Sequence, residues 1–141
     1  MVHVRPDTPV LIDHLDGPHM GNAVEYANVL ALAQFDNVFM KLSGLNHFSK
    51  DAPLYLEAKP FTQLVIDAFG PEHLVWGSGT PAIVDAHLDR EPAEARAMVK
   101  GGNLARLLAS RSGGEARCTV GRLIVFQHQA DRRMSVGLMV H

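Results

Sequence analysis

The sequence predicts an α/β protein in which short parallel strands are joined by crossover helices. Three apolar runs, at residues 9–13, 38–43 and 74–77, have the length of strands that are buried on both faces of a sheet. Segments of helical composition separate these runs and follow the last one, and each is long enough to cross over. The resulting order, βαβαβα, predicts parallel pairing with right-handed connections.

The composition supports a packed core and excludes several classes of partner. The 141 residues are 47% hydrophobic and 20% charged, which is too apolar for a disordered chain. A net charge of −2 favours neither a nucleic acid nor an anionic membrane as partner. The single cysteine, Cys118, excludes an internal disulfide, and no run approaches the ~18 apolar residues of a membrane span. We therefore expect a cytoplasmic protein.

The first strand and helix are marked by a change of composition at His14. Residues 9–13 (PVLID) are apolar up to this histidine, where a polar stretch begins. Residues 23–35 are rich in Ala and Leu and contain no helix breaker, which predicts the first helix. Residues 38–43 (VFMKLS) start with β-branched and aromatic side chains and end at Gly44, which predicts the second strand.

A long loop and an amphipathic helix come next. Residues 46–58 show no periodicity and predict the loop. Residues 60–69 predict a helix that ends at Gly70, with an apolar stripe at i, i+3, i+4, i+7 and i+8. The stripe consists of Phe61, Leu64, Val65, Ala68 and Phe69.

The last predicted strand, residues 74–77, precedes a loop at 78–81 and two helices. The first of these helices is expected over residues 91–100. Asn103 is expected to cap the second. Its inward side chains would be Leu104, Leu107 and Leu108.

The charge distribution predicts a boundary near residue 111. Residues 1–110 have 8 basic and 13 acidic side chains, whereas residues 111–141 have 5 basic and 2 acidic ones. Within this basic tail, the apolar runs 123–126 and 136–140 predict a hairpin that turns near residues 130–133, or else a poorly ordered segment.

Three polar segments follow the predicted strands, where parallel α/β folds bind their ligands. They are residues 13–15, 41–44 and 77–81, and they carry an imidazole, an amine and several hydroxyl groups. Because the loops after parallel strands converge at one edge of the sheet, the sequence predicts a site there.

These same segments resemble a known family. The strings IDHL (12–15), NVFMKLSGL (37–45), AFGPEHLVWGS (68–78) and GGNLARLL (101–108) look like the carboxy-terminal half of the amidohydrolase-related family, in the right order. The resemblance implies a partial (β/α)₈ TIM barrel with about its last three βα units, over residues 1–110. A whole barrel needs roughly 200 to 250 residues, so the chain holds less than half of one.

The resemblance also implies a chemistry, from which this sequence departs in two places. Family members that use a divalent metal, such as zinc or manganese, hold it with a His-x-His pair, and the sequence contains no such pair. The family motif Gly-Ser-Asp corresponds here to residues 77–79, with Gly79 in place of the aspartate and Asp85 as the nearest downstream carboxylate. No cofactor and no metal ligand is therefore assigned.

Five residues are candidates for the site. His14 matches a functional histidine of the family, which implies that it would bind a metal or polarise a substrate carbonyl, while a structural histidine is the alternative. Lys41 is expected to bind a carboxylate, unless it is a solvated edge residue. Ser43, Ser78 and Thr80 would donate hydrogen bonds to substrate oxygens, unless they only form turns.

Two functions are compatible with this pattern. The first is a hydrolase of the amidohydrolase-related family, which cleaves a lactone, ester or amide bond of a small carboxylate and is incomplete in this chain. The alternative is a non-catalytic partial barrel. Its open sheet edges would pair with a second copy or another partner, or would be covered by the tail.

Overall fold

Four parallel strands form one sheet in the computed structural model, which describes residues 8–16, 23–47, 49–110 and 124–126. The strands are β1 (Val10–Ile12), β2 (Val38–Leu42), β3 (Leu74–Trp76) and β4 (Ile124–Phe126), and their order in the sheet is β3-β2-β1-β4. The register places Ile12 opposite Met40, and Leu42 opposite Trp76. The predicted α/β class with parallel pairing is thus confirmed.

Five α-helices accompany the sheet in the described part of the chain. They are α1 (Ala23–Leu30), α2 (Lys59–Phe69), α3 (Ala82–His87), α4 (Ala93–Ala97) and α5 (Asn103–Ala109). A 3₁₀ turn, Ala31–Gln34, extends α1, and a π-helical segment, Met98–Gly102, joins α4 to α5. The helix α3 was not predicted. It begins directly after Pro81, between the predicted loop at 78–81 and the helix predicted for residues 91–100.

Both faces of the sheet are buried, as the apolar strands predicted. Alternate strand residues, among them Val10, Met40 and Leu74, pack into the main core with helix α2. The opposite face carries Leu11, Phe39 and Val75, against which Leu107 of α5 packs. Because β-strand side chains alternate between faces, a strand buried on both sides must be apolar throughout.

The buried face of α2 is rotated by about one residue from the predicted apolar stripe, with which it shares Val65 and Phe69. Leu64 is 47% exposed and Ala68 is exposed. The buried side chains of the helix are Thr62, Val65, Ile66 and Phe69. Thr62 can face inward because its hydroxyl is hydrogen-bonded to the Lys59 carbonyl oxygen and to the His87 ring.

The expectations for α5 are also corrected. Leu104 and Leu108 are 39% and 58% exposed, so only Leu107 points inward. Asn103 is not a cap but the first helical residue, and its side chain is 1% exposed. Its amide nitrogen donates hydrogen bonds to the carbonyl oxygens of Pro71 and Leu74, both at 2.7 Å. Asn103 therefore ties α5 to β3.

One segment of the basic tail joins the sheet. Ile124–Phe126 pairs in parallel with β1, so that Val10 lies opposite Ile124. This segment of the tail thus covers the edge of β1, as expected if the tail rather than a partner protects an open edge. The predicted turn at 130–133 and second hairpin run at 136–140 lie outside the described residues. Within the described ranges, no helix is long and apolar enough to cross a membrane.

Candidate active site

A tight turn at the carboxyl end of β1 presents His14. The chain leaves Ile12 through a left-handed turn, Asp13–Asp16, in which His14 and Leu15 have φ of 47° and 56°. Residues other than glycine rarely adopt this left-handed backbone conformation, because it costs free energy. It persists only where the surrounding contacts compensate for that cost. Here Leu15 is fully buried, and its carbonyl oxygen accepts a hydrogen bond from the Tyr26 hydroxyl at 2.8 Å.

The His14 ring lies against the carboxyl end of β2. Its Nδ1 atom is 2.8 Å from the Ser43 hydroxyl oxygen. Gly44 has φ of +72°, and a Cβ at this position would lie 2.9 Å from the His14 Cβ. A side chain at residue 44 would therefore push the imidazole away, so glycine is required for the contact between His14 and Ser43.

Asp13 lies between His14 and Lys41. One of its carboxylate oxygens is 3.4 Å from His14 Nε2, and the other is 2.8 Å from Lys41 Nζ. The Asp13 carboxylate and the Lys41 ammonium group are close enough to form an ion pair. Their relative orientation does not meet the angles of a hydrogen bond. These contacts link Lys41, Asp13, His14 and Ser43 in one polar chain.

The surroundings keep His14 neutral. Burial of the ring lowers the pKa of His14 below its ordinary value of 6.5. The charge of Asp13 opposes this shift, whereas Lys41 and His47 add to it. The His47 ring is edge-on to His14, with 6.0 Å between ring centroids. At pH 7 the imidazole can therefore accept a proton.

A pocket of about 170 Å³ opens beside this polar chain. It lies between the carboxyl ends of β2 and β3, and two of the five candidate residues, Ser43 and Ser78, are in its wall. The other lining residues are Leu42, Gly44, Leu45, Asn46, Tyr55, Gly79 and Ile83. Ser43 therefore contacts both the pocket and His14.

His14, Lys41 and Thr80 are not among the residues that line the pocket. The side chain of Lys41 passes over the backbone of Gly77 toward Asp13. The Thr80 hydroxyl accepts a hydrogen bond from the Ala82 backbone N–H at 3.4 Å, at the start of α3. Thr80 thus has the contact of a turn former, the alternative that the sequence left open.

The backbone conformation at residue 79, where the family has an aspartate, favours the glycine found here. Gly79 has φ of +80°, and a Cβ there would lie 2.8 Å from Ile83 Cδ1. An aspartate would be strained in this conformation and would also displace Ile83. Asp85 does not replace the carboxylate, because it forms ion pairs on the surface with Lys100 and Arg96, at 2.7 and 3.4 Å.

The described residues do not fit a metal centre. Across residues 8–16, 23–47, 49–110 and 124–126, no three His, Cys, Asp or Glu side chains gather closely enough to hold a metal ion. Asp13 and His14 are neighbours of an ammonium group, which competes with a cation for the carboxylate.

Sequence reasoning missed the buried network around His87. This side chain is fully buried, and its Nε2 donates to the Leu54 carbonyl oxygen at 2.7 Å. Its Nδ1 lies 2.7 Å from the Thr62 hydroxyl. The contacts join residues 25 and 33 positions apart, which no local pattern encodes. The role of Gly77 was also missed, because its closeness to Lys41 follows only from the pairing of β2 with β3.

Comparison with known families decides the lineage. The model of the family described as Amidohydrolase matches residues 5–108, which is most of the chain. The chain belongs to the amidohydrolase family. The resemblance seen in the sequence is therefore confirmed, and so is its classification as a hydrolase by family.

Two individual relatives align with about half of this chain. It is 35% identical over 79 residues to an L-fucono-1,5-lactonase of Burkholderia ambifaria, covering 54% of this chain and 27% of that protein. It is 26% identical over 76 residues to a 4-sulfomuconolactone hydrolase of Hydrogenophaga intermedia, covering 52% of this chain and 25% of that protein. The chain thus spans about a quarter of the length of these relatives.

A crystal structure of an amidohydrolase from Burkholderia multivorans with bound zinc has a similar fold. Its TM-score is 0.58 at 24% sequence identity, over 72% of this chain and 44% of that one. At this identity the likeness concerns the fold alone. The arrangement of parallel strands and helices is thus that of part of an amidohydrolase.

Proposed function

We propose that this chain forms the carboxyl-end loops of three βα units of a (β/α)₈ barrel hydrolase that opens lactones of small carboxylates. The observation that carries the proposal is the 2.8 Å contact between a neutral imidazole, His14, and Ser43 in the wall of a pocket at the strand ends. The lactonase and the lactone hydrolase among the relatives support this choice of substrate class.

His14 is the general base in this proposal. Ring opening adds the elements of water across the ester bond: a hydroxyl oxygen attacks the acyl carbon, and the ring C–O bond breaks. The attacking oxygen must lose a proton, which His14 accepts because burial favours its neutral form. The same proton is then delivered to the leaving ring oxygen.

Lys41 and Ser78 orient the substrate. Lys41 carries three N–H donors, so its ion pair with Asp13 leaves donors for a substrate carboxylate. Ser78 lies in the pocket wall with Ser43 and donates a hydrogen bond to a substrate oxygen. Thr80 supports this loop through its contact with Ala82. The proposed occupant is therefore a small molecule with an acyl group in the pocket and a carboxylate that reaches Lys41 outside the pocket wall.

The test is hydrolysis of a lactone panel by the 141-residue protein. The panel contains five- and six-membered lactones with and without a carboxylate, and the acid released is followed with a pH indicator. We expect turnover of at least one lactone and a loss of about 100-fold or more in His14→Gln. Lys50→Met, at an exposed residue, is the surface control. Absence of turnover by the folded 141-residue protein would refute lactone hydrolysis by this chain alone.

Self-association is the second candidate function. In the described sheet β3 has a neighbour on one side, β2, and occupies an edge. Such an edge can pair with a second copy of the chain. Light scattering over a range of concentrations measures this directly. A dimer that persists on dilution would support the candidate, and a monomer at every concentration would exclude it.

A further inference from the structure

The loop between β2 and α2 contributes an aromatic side chain to the pocket. Tyr55 lies in this loop, is half-buried and packs against the main core. Among the described residues that line the pocket it is the aromatic one, and Ile83 of α3 is a further apolar one. The volume of about 170 Å³ is below the roughly 300–1,000 Å³ of pockets that hold drug-sized ligands. The space between these side chains therefore suits one small ring.

Tyr55 has a backbone conformation that depends on support from its neighbours. Its φ and ψ are 54° and 47°, in the left-handed region that bulky residues rarely adopt. Such a conformation costs free energy and persists only where the surrounding structure holds it. Strained residues of this kind cluster at binding sites and active sites. The backbone of Tyr55 thus indicates a role for its side chain in the pocket.

Two hydrogen bonds hold the peptide unit between Leu54 and Tyr55. Its N–H, on Tyr55, donates to the Asp51 carbonyl oxygen at 3.0 Å. Its carbonyl oxygen, on Leu54, accepts from Nε2 of the fully buried His87 at 2.7 Å. Because a carbonyl oxygen can only accept, His87 must carry a proton on Nε2. Both polar groups of this planar unit are engaged, which fixes the direction in which the Tyr55 side chain leaves the backbone.

Helix α3 connects this hydrogen bond to another part of the pocket wall. Ile83 and His87 are four residues apart, so their side chains lie on the same face of α3. Ile83 lines the pocket directly, whereas His87 contacts the residue before Tyr55. The His87 ring is itself held from α2, because its Nδ1 is 2.7 Å from the Thr62 hydroxyl. One face of α3 therefore places two lining residues, Ile83 and Tyr55.

We propose that Tyr55 is the specificity-determining residue that limits the pocket to one small ring, and that His87 is the positioning residue that holds Tyr55 in place. The inference rests on the proposed function for the class of occupant, a small cyclic acyl compound, and adds its size limit. A substituent on that ring would meet the Tyr55 side chain. One additional carbon group in an apolar pocket changes affinity by roughly tenfold or more.

Binding of two cyclic ketones to the whole 141-residue protein tests the size limit. Cyclohexanone matches a six-membered lactone ring and has no bond to hydrolyse, whereas 4-ethylcyclohexanone adds an ethyl group. The backbone amide NMR signal of Ser78, in the pocket wall, reports the affinity for each ketone. We expect the wild type to bind cyclohexanone at least about tenfold more tightly. This preference should disappear in Tyr55→Ala and remain in Leu56→Ala, at an exposed neighbouring residue.

The position of Tyr55 has a spectroscopic signature that requires no activity. The chain has two tyrosines, Tyr26 and Tyr55, so labelling of tyrosine rings with carbon-13 gives signals that Tyr55→Phe assigns. Tyr26 is the internal reference, because it is buried and donates to the Leu15 carbonyl oxygen. In His87→Leu we expect only the Tyr55 signal to move toward that of free tyrosine. The preference for cyclohexanone should disappear in the same variant.

Two further substitutions at residue 87 separate positioning from folding. His87→Leu removes the donor to Leu54, while the Thr62 hydroxyl keeps the Lys59 carbonyl oxygen as a partner at 3.1 Å. His87→Asn replaces it where the leucine variant does not fold, because the shorter amide still contacts Thr62 but does not reach Leu54. His87→Gln places an amide N–H near the position of Nε2, and it should restore the Tyr55 signal and the preference. Circular dichroism confirms that each variant is folded.

The outcomes distinguish this inference from the proposed function. A wild type that binds both ketones equally, or binds neither, would overturn the size limit, whether or not lactones are hydrolysed. A Tyr55 signal that stays unchanged in the folded variant without the donor would overturn the positioning role of His87. A preference for cyclohexanone that is lost in Tyr55→Ala, without turnover of any lactone, would support this inference and refute lactone hydrolysis by this chain alone.

Discussion

The side chain of Lys41 lies directly across the backbone of Gly77. A Cβ at residue 77 would fall 2.0 Å from Lys41 Cε and under 3 Å from two further carbons of the same side chain. Residues 41 and 75 are partners in the pairing of β2 with β3, so Gly77, directly after β3, is the next position on the same face. The absence of a side chain there lets Lys41 reach Asp13, 2.8 Å from Nζ.

We predict that Gly77→Ala displaces Lys41 and weakens the binding of carboxylated lactones. Loss of one charge-assisted contact, about 1.4 kcal/mol, raises KM about tenfold and leaves neutral lactones unaffected. Gly102→Ala is the matched control, because a Cβ there meets no atom closer than 3.6 Å. Steady-state kinetics on both substrate types measures the effect, and an unchanged KM for carboxylated lactones would show that Lys41 does not bind them.

Lys41→Met should shift the pH dependence of catalysis. Burial is the main cause of the lowered pKa of His14, Asp13 opposes it, and the charge of Lys41 lowers the pKa further. Below its pKa the base is protonated and inactive, so the wild-type kcat/KM declines on the acid side below pH 6.5. Removing the ammonium raises the pKa and moves this decline to higher pH. A profile that shifts the other way would contradict the assignment of His14 as base.

His87 should make the fold less stable in acid. Burial lowers its pKa below 6.5, and so the folded state binds fewer protons than the unfolded state. The stability present above pH 6.5 is then lost as pH falls through the folded pKa. We expect the urea midpoint to decrease between pH 7 and pH 5. In His87→Gln the decrease should be smaller, and an equal decrease would assign it to other groups.

Asn103 should be more important for stability than its position in a short helix suggests. Its side chain is buried and donates two hydrogen bonds of 2.7 Å, to the carbonyl oxygens of Pro71 and Leu74. Asn103→Ala leaves these oxygens without their donor, which costs roughly 1–3 kcal/mol. Asn28→Ala, at an exposed position of α1, is the control and should change stability by less than about 0.5 kcal/mol. Urea denaturation compares the two variants.

The sequence predicts the strands and their convergence for a physical reason. Apolar runs buried on both faces are typical of parallel strands covered by helices, and parallel strands bring their carboxyl ends to one edge. Because Ile12 is paired with Met40, the segments that carry His14 and Ser43 become neighbours. The location of the candidate site therefore follows from the order of elements alone.

The parts that the sequence could not predict depend on contacts between distant residues. Thr62 faces inward because its hydroxyl meets His87, 25 residues away, and a hydropathy pattern counts it as polar. The left-handed backbone of His14 is likewise held by packing of Leu15 and by the Tyr26 hydroxyl. Helix α3 has only six residues, too few to show a repeating stripe.

A double-mutant cycle on His14 and Ser43 tests the central claim most directly. The value of kcat/KM for lactone opening is measured for the wild type, His14→Gln, Ser43→Ala and the double variant. If the pair acts as one unit, each single change lowers the rate about 100-fold or more, and the double variant is no slower than the worse single one. Losses that multiply, or a His14→Gln variant as active as the wild type, would contradict the account.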